Sequence, residues 1–329
     1  MAYKKGNIFS LDEKLTSGKT EELNERFERF LDRYFGKNGQ IKPLFIEYTS
    51  CPNCESKDGS TFKQKRFAYR RCFKCQMVYA VPRFKQEINI KIHSQDCYKE
   101  HYINKVMPTI DYRRNVLAKN KYKQVMEFFK KPGRVLDIGC GLGELLSVFK
   151  ENGWKSDGID FNDFAVEYAK NNFNLNIKKC DIFKMPEEEK YDLVMLWGVI
   201  EHVYTPDSLL KKCKALLKKN GLLLIEVPSA DSLLVRYCEA TGKEAHRTFE
   251  SARHIMLFSQ RSLIEMCSRN GFACKKLLSN GLDVSTISKM NGLNLESECV
   301  NIIQNILDES LQGDLLRGFF IKSPSKGKK

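Results

Sequence analysis

Residues 133–146, GRVLDIGCGLGELL, run an apolar strand pattern straight into three closely spaced glycines and then into a helix pattern. No other stretch constrains the fold as tightly. A strand, a glycine turn and a helix in immediate succession make the nucleotide-binding corner of an open α/β sheet. The spacing narrows the ligand. A dinucleotide fingerprint needs G-x-G-x-x-G; Gly139 and Gly141 fit, but the third position holds Glu144. A phosphate loop needs Gly-Lys-Ser/Thr after the glycines, and none follows. A carboxylate at the start of the helix also opposes an anion at its N-terminus. The turn therefore suits a cationic ligand without phosphate.

From residue 134 the patterns alternate: RVLDIG, KSDGID, NIKKC, YDLVMLW and LLLIEVP read as strands, with helical periodicity between them. One such helix, TPDSLLKKCKALLKKNG, has Thr205 as its expected N-cap, Pro206 in its first turn and Gly221 as its expected stop. Later come the helix SQRSLIEMCSRNG and the strands FACKKLLS and RGFFIKS. Regular alternation of this kind predicts an α/β, Rossmann-like fold with a mainly parallel sheet covered on both faces.

The stretch VLDIGCGLG (135–143) resembles motif I of class I S-adenosylmethionine (SAM) methyltransferases, and the flanking motifs match in order over about residues 134–275. The resemblance implies a seven-stranded class I methyltransferase sheet. It also implies a cofactor site formed by Asp137, Gly139, Cys140 and Gly141 in the glycine turn and by Trp197 at the end of the fourth strand. Asp160, ending the second strand 21 residues after Gly139, would accept hydrogen bonds from both ribose hydroxyls. Phe161 would lie on the adenine, with Asp181 at its amine and Ile182 beside it. The same pattern read without the family leaves a Rossmann-like domain for another nucleotide, or one that binds nothing.

Twelve cysteines are many for a reducing compartment, and four stand apart. Cys51-x2-Cys54, 17 residues, then Cys72-x2-Cys75 falls within the spacing of a four-cysteine zinc site. Four protein ligands close the tetrahedron, so this Zn²⁺ should be structural and should stabilise a β-unit of this size. Unligated thiols or a redox pair are the alternatives. Sequence patterns divide the chain into a helical N-terminal arm (1–45), a zinc ribbon (46–85), a basic helical linker or lid (86–131) and a SAM-dependent methyltransferase domain (132–322). Insertions fall at about 229–252 and 290–312, and a disordered tail at 323–329.

The net charge of +14 is concentrated: residues 51–133 hold 19 Lys/Arg against 7 Asp/Glu. That region should face something acidic. FKQKRFAYRRCFK (62–74) interleaves cations with aromatic rings, as an RNA-binding ribbon would, and some rRNA methyltransferases carry an N-terminal zinc module. Alternatively, CFKCQMVYAVPRF followed by CYKEHY resembles the zinc-bearing N-terminal domain of bacterial sugar methyltransferases. That likeness places Tyr98 and Tyr102 near the cofactor. A nucleotide diphosphate or phosphorylated glycan would account for the charge equally well. No apolar run is long enough to cross a membrane, and the N-terminus lacks a signal-peptide core, so a cytoplasmic protein is expected. Oligomeric state is left open.

Methyl transfer to a hydroxyl needs an aligned nucleophile and a base. Glu201 and His202 in VIEHV follow the fourth strand and resemble quinone and sugar methyltransferases; they would line the acceptor site, with a metal in some relatives, or merely order the loop. No Asn/Asp-Pro-Pro-Tyr/Phe motif is present there, which weighs against methylation of nucleobase amines. SARHIMLFSQRSL (251–263) resembles the segment of sugar methyltransferases that carries the general-base histidine. His254 matches that histidine, while Arg253 replaces a glutamate and Leu257 a tyrosine. An adjacent arginine lowers basicity, so Arg253 is expected to bind an anionic substrate group. A hydrogen-bonded histidine at a helix start is the structural alternative; His246 is a further candidate. The expected function is methylation of a small acidic or nucleotide-linked acceptor, a sugar hydroxyl by preference. RNA methylation by way of the ribbon is the alternative, and a catalytically dead SAM-binding protein the third reading.

Overall fold

A computed structural model describes residues 19–93, 96–187, 191–249 and 253–323. The chain begins with helix α1 (Lys19–Leu31) and five short strands, β1 (Ile46–Glu47), β2 (Gly59–Gln64), β3 (Phe67–Cys72), β4 (Val78–Ala80) and β5 (Arg83–Phe84). Helix α2 (Gln86–His93) precedes a helical stretch with wide π turns at Tyr102–Val106 and Arg113–Ala118, ending in α3 (Lys119–Met126). Then come β6 (Arg134–Ile138), α4 (Glu144–Glu151), β7 (Lys155–Asp160), α5 (Asp163–Phe173) and β8 (Asn176–Lys179). β9 (Tyr191–Trp197), α6 (Pro206–Leu216) and β10 (Leu217–Pro228) follow. The remainder holds α7 (Leu233–Thr241), β11 (Met256–Leu257), α8 (Gln260–Arg269), β12 (Phe272–Asn280), α9 (Asp283–Met290), α10 (Ser297–Glu309) and β13 (Leu315–Lys322). No helix among the described residues is long and apolar enough to cross a membrane.

The described residues form two compact units. One comprises residues 93–227, 261–277 and 317–323. Its sheet has the order β12-β13-β10-β9-β6-β7-β8, and the five strands from β10 to β8 are parallel. Leu193–Leu196 and Leu223–Ile225 are fully buried, as the inner strands of a sheet covered on both faces must be. The seven-stranded α/β class I sheet expected from the motifs is thus present. One boundary differs: the helix expected to reach Gly221 stops at Leu216. Leu217 pairs with Tyr191, the register shifts before Leu222, and Lys218 reaches the Asp192 carboxylate at 2.9 Å. Pairing of a buried leucine overrides helix propensity here. Thr205 makes no capping hydrogen bond; Pro206 alone marks the start of α6.

The other unit comprises residues 19–92, 228–260 and 278–316. The cysteine-bearing strands do not stand alone. Their sheet has the order β11-β4-β3-β2, with Met256 and Leu257 of β11 opposite Tyr79 and Val78. Phe27, Leu31, Tyr34 and Phe35 from the segment read as an arm share one core with Phe67, Tyr69 and Phe84 of the ribbon and with Leu234, Val235, Cys238 and Phe249. The stretch read as the first insertion, 229–252, is therefore part of this unit's core, and Met290 of the second packs against it. A β-unit of some 40 residues buries too little apolar surface by itself, and it takes the rest from distant segments. Arg71 fastens them. Its buried guanidinium donates to Glu239 at 2.7 Å, to the carbonyl of Ala230 at 3.0 Å and to that of Gln76 at 3.3 Å. Arg71→Met should lower the unfolding free energy by about 3 kcal/mol, because Glu239 and a buried carbonyl lose their donor. Denaturant unfolding checks this; a loss below about 0.5 kcal/mol would show that the anchor is unimportant.

Candidate functional site

Gly139, Gly141 and Gly143 all have left-handed backbone angles, and two of them show why glycine is needed. A Cβ on Gly143 would stand 2.7 Å from Leu175 and 3.0 Å from Ala169, so the turn passes tight against α5. Gly141, at φ +54°, would meet only the Tyr102 hydroxyl, at 3.5 Å. Its N–H donates to Asp160 Oδ2 at 2.9 Å, while Asn162 N–H donates to Oδ1 at 2.8 Å. One carboxylate is thus fixed by the glycine turn on one side and by the start of α5 on the other. Each oxygen retains acceptor capacity, which suits a pair of ribose hydroxyls. Burial pushes the Asp160 carboxyl up, against the pull of the N–H groups of Asn162, Gly141 and Phe161.

Asp137, at the end of β6, is buried, and its Oδ1 has no hydrogen-bond partner among the described residues. Burial pushes this carboxyl well up; the Glu144 and Asp160 charges add to the push and Lys121 opposes it. A buried carboxyl oxygen without a hydrogen-bond partner, two residues before the glycine turn, fits a cationic ligand. Cys140 is buried and its thiol is pushed well up, first by burial and then by Asp137 and Asp160, so it packs as a neutral group.

The remaining expected cofactor residues are distributed around this turn. Phe161 follows β7 with 70% of its surface exposed. Asp181 accepts the Phe183 N–H at 3.0 Å and caps the short turn Ile182–Lys184, in which Ile182 is buried. Trp197 ends β9. Tyr102 packs with Val106, Leu142, Ala165 and Phe164 above the turn. The side chain of Tyr98 lies outside the described residues. Glu201 and His202 form the short turn Ile200–His202 after β9, with Glu201 buried.

In the other unit, His254 is 9% exposed and its Nδ1 stands 2.6 Å from the carbonyl of Thr248. The Tyr69 hydroxyl holds this segment by donating to the carbonyls of Phe249 (2.9 Å) and His254 (3.2 Å). The Arg253 guanidinium lies over the Phe27 ring, 4.3 Å from its centroid. His246 begins the short helix His246–Phe249 and is exposed. The sulfurs of Cys51, Cys54, Cys72 and Cys75 all lie within 4.8 Å of one another, with Cys51–Cys75 and Cys54–Cys72 at 3.5 Å. Tetrahedral zinc at ordinary Zn–S lengths needs sulfur separations of about 3.8 Å. The donor set fits that ion. The eleven described cysteines form no disulfide.

The basic surplus of residues 51–133 is partly matched within the fold. Lys65, Arg66, Arg71, Arg83, Arg114 and Lys121 pair with Glu28, Asp32, Glu239, Glu47, Glu151 and Glu226 respectively. Less charge is left for an external acidic partner than the sequence suggests. Lys57, Arg70 and Lys74 line a shallow depression of about 700 Å³ beside the exposed ring of Phe73. Sequence reasoning missed Lys121, Glu226 and Arg317, which join at the carboxyl ends of the strands; the only signal was an acidic residue inside the apolar run LLLIEVP.

Strand order, glycine turn and strand-two acid together define a SAM-dependent methyltransferase. Residues 110–277, half of the chain, match the profile of the family described as "Methyltransferase domain", and the protein belongs to that family. A relative named ubiquinone biosynthesis O-methyltransferase, from Glaesserella parasuis serovar 5, is 29% identical over 189 residues, covering 52% of this chain and 78% of its own. A Coxiella burnetii protein of the same name is 31% identical over 99 residues, which span 28% of this chain and only 42% of that protein. Among solved structures, a SAM-dependent methyltransferase from Archaeoglobus fulgidus aligns with 63% of this chain and 93% of its own, at 24% identity and a TM-score of 0.45. The 1,6-didemethyltoxoflavin N1-methyltransferase of Burkholderia thailandensis, with S-adenosylhomocysteine bound, covers 77% and 98% at 14% identity and a TM-score of 0.49.

Asp160→Ala should weaken binding of S-adenosylhomocysteine by about 10- to 100-fold, the worth of hydrogen bonds to a charged acceptor. Calorimetric titration checks this; an unchanged affinity would remove Asp160 from the site.

Proposed function

We propose that the protein methylates a hydroxyl of a small acceptor, by preference an anionic or nucleotide-linked sugar, with His254 as general base. The observation that carries this reading is the contact between His254 Nδ1 and the Thr248 carbonyl. A carbonyl oxygen can only accept, so Nδ1 bears a proton, and in the neutral ring Nε2 is the nitrogen that can take one up. A buried imidazole fixed in that tautomer is equipped to take a proton from a hydroxyl. SAM, when bound, supplies an electrophilic methyl group. Asp137, Gly139, Gly141 and Asp160 would hold it, with Tyr102 covering the turn. His254 Nε2 would receive the acceptor's proton as its oxygen attacks. Arg253, one face covered by Phe27, would meet an anionic group on the acceptor with its N–H edge. Glu201 and His202 would line the acceptor side, beyond the carboxyl end of β9.

A second reading is favoured by the relatives named for ubiquinone biosynthesis, the first of which aligns over 78% of its length. On that reading the acceptor hydroxyl belongs to a ubiquinone-biosynthesis intermediate. Both readings need the same base. His254→Ala should lower turnover by about 100- to 10,000-fold while leaving the affinity for S-adenosylhomocysteine within twofold. The release of demethylated cofactor measures it, and unimpaired turnover would refute the role. Thermal-shift screening of nucleotide sugars against ubiquinone precursors separates the two acceptors.

The cysteine quartet we assign to a structural Zn²⁺, since four sulfur donors leave no coordination position for substrate. One zinc per chain is expected by elemental analysis. Its removal by chelator should abolish turnover and lower the melting temperature, because site formation and folding are coupled. A metal-free protein with wild-type melting would contradict this.

A further inference from the structure

A charged group near the glycine turn has no part in the reading above. Glu226, the register partner of Trp197, accepts from Lys121 Nζ at 3.1 Å and from Arg317 Nε at 3.0 Å. Arg317 also bonds Gln124 on α3. Both cations lie on the Trp197 ring, Lys121 Nζ 3.9 Å and Arg317 Cζ 4.8 Å from its centroid. Two cations thus share one carboxylate in a site where Glu226 is 7% and Arg317 5% exposed and the Lys121 side chain 26% exposed. One positive charge remains. Arg317 holds Glu226 through both Nε and Nη2, whereas Lys121 reaches it through Nζ alone. Trp197 follows Leu196, the register partner of Ile138, so the ring beneath Lys121 stands at the strand end beside Gly139, where the turn begins.

We propose that Lys121 sets the relative affinity of the glycine turn for the cationic cofactor and for its neutral demethylated product. The two forms share adenine, ribose, ammonium and carboxylate groups; they differ in one methyl and one positive charge. A fixed cation beside the turn disfavours the sulfonium and leaves the thioether untouched. Asp137 pulls in the opposite sense, so the pair balances substrate capture against loss of charge. A field that opposes the starting charge is relieved as that charge leaves, which is the differential binding that accelerates a reaction. In a partly buried site such a field is worth about tenfold in affinity.

The test is calorimetric titration of the full chain with SAM and with S-adenosylhomocysteine. Lys121→Gln should raise the affinity for SAM relative to the product about tenfold, while Lys121→Arg should leave the ratio within twofold. Burial depresses the lysine's proton affinity, the net of desolvation and Arg317 against Glu226 and Glu144. The wild-type ratio should therefore move toward SAM as the pH rises and Lys121 loses its proton, earlier than an exposed lysine would. Lys121→Arg, permanently charged, should stay flat and also controls for titration of Asp137 or Cys140. That comparison needs no folded Gln variant. Equal weakening of both ligands by Lys121→Gln, or identical pH profiles for wild type and Lys121→Arg, would overturn the proposal. Loss of all binding in Asp160→Ala would bear on the cofactor site itself and not on Lys121.

Discussion

The hydrogen bond from the Gly141 N–H to Asp160 Oδ2 joins the glycine turn to the acid that ends β7. It spans the gap between the turn after β6 and the end of β7, and it exists only because Gly141 can adopt a left-handed backbone. Without it the carboxylate could rotate away from the turn. With it, one rigid corner offers backbone, acid and open space together. The parallel pairing of β6 with β7 holds the two ends in register, so the site inherits its precision from the sheet.

Charge is handled differently in the two units. In the unit carrying the cysteines, cations mostly fasten segments to each other, as Lys65 and Arg66 do with α1 and Arg71 with α7. In the unit carrying the glycine turn, acids and bases concentrate at the carboxyl ends of the strands: Asp137, Asp160 and Glu226 with Lys121 and Arg317. Burial raises the first two, whereas the Arg317 and Lys121 cations hold Glu226 down at about 2 despite its burial. Their neighbours thus drive the proton affinities of these carboxylates apart, a pattern common at functional sites.

The glycine turn, the strand-two acid and the cysteine spacing were legible in the sequence because each is a local pattern with one steric or coordinative meaning. The alternation of strands and helices was legible for the same reason. What escaped was non-local. Nothing in ML at 256–257 announces that it pairs with VY at 78–79, and nothing in FERFLDRYF announces a shared core with helix α7. Periodicity says which face is apolar, not what covers it. The early end of α6 belongs to this class too, since only the pairing of Leu217 with Tyr191 stops the helix. Lys121 could not be singled out among the many lysines of its region until Trp197 and Glu226 stood beside it.

The loan of β11 to the cysteine-bearing sheet has a consequence for biogenesis. Ser259 donates to the carbonyl of Cys75 at 2.6 Å, two residues beyond β11, and the Ala80 N–H reaches back to Ile255. Whatever orders the sulfur cluster therefore also orders the residues flanking His254, some 180 positions further along the chain. A nascent chain thus presents all four cysteines some 180 residues before β11 can pair with β4 and complete their sheet.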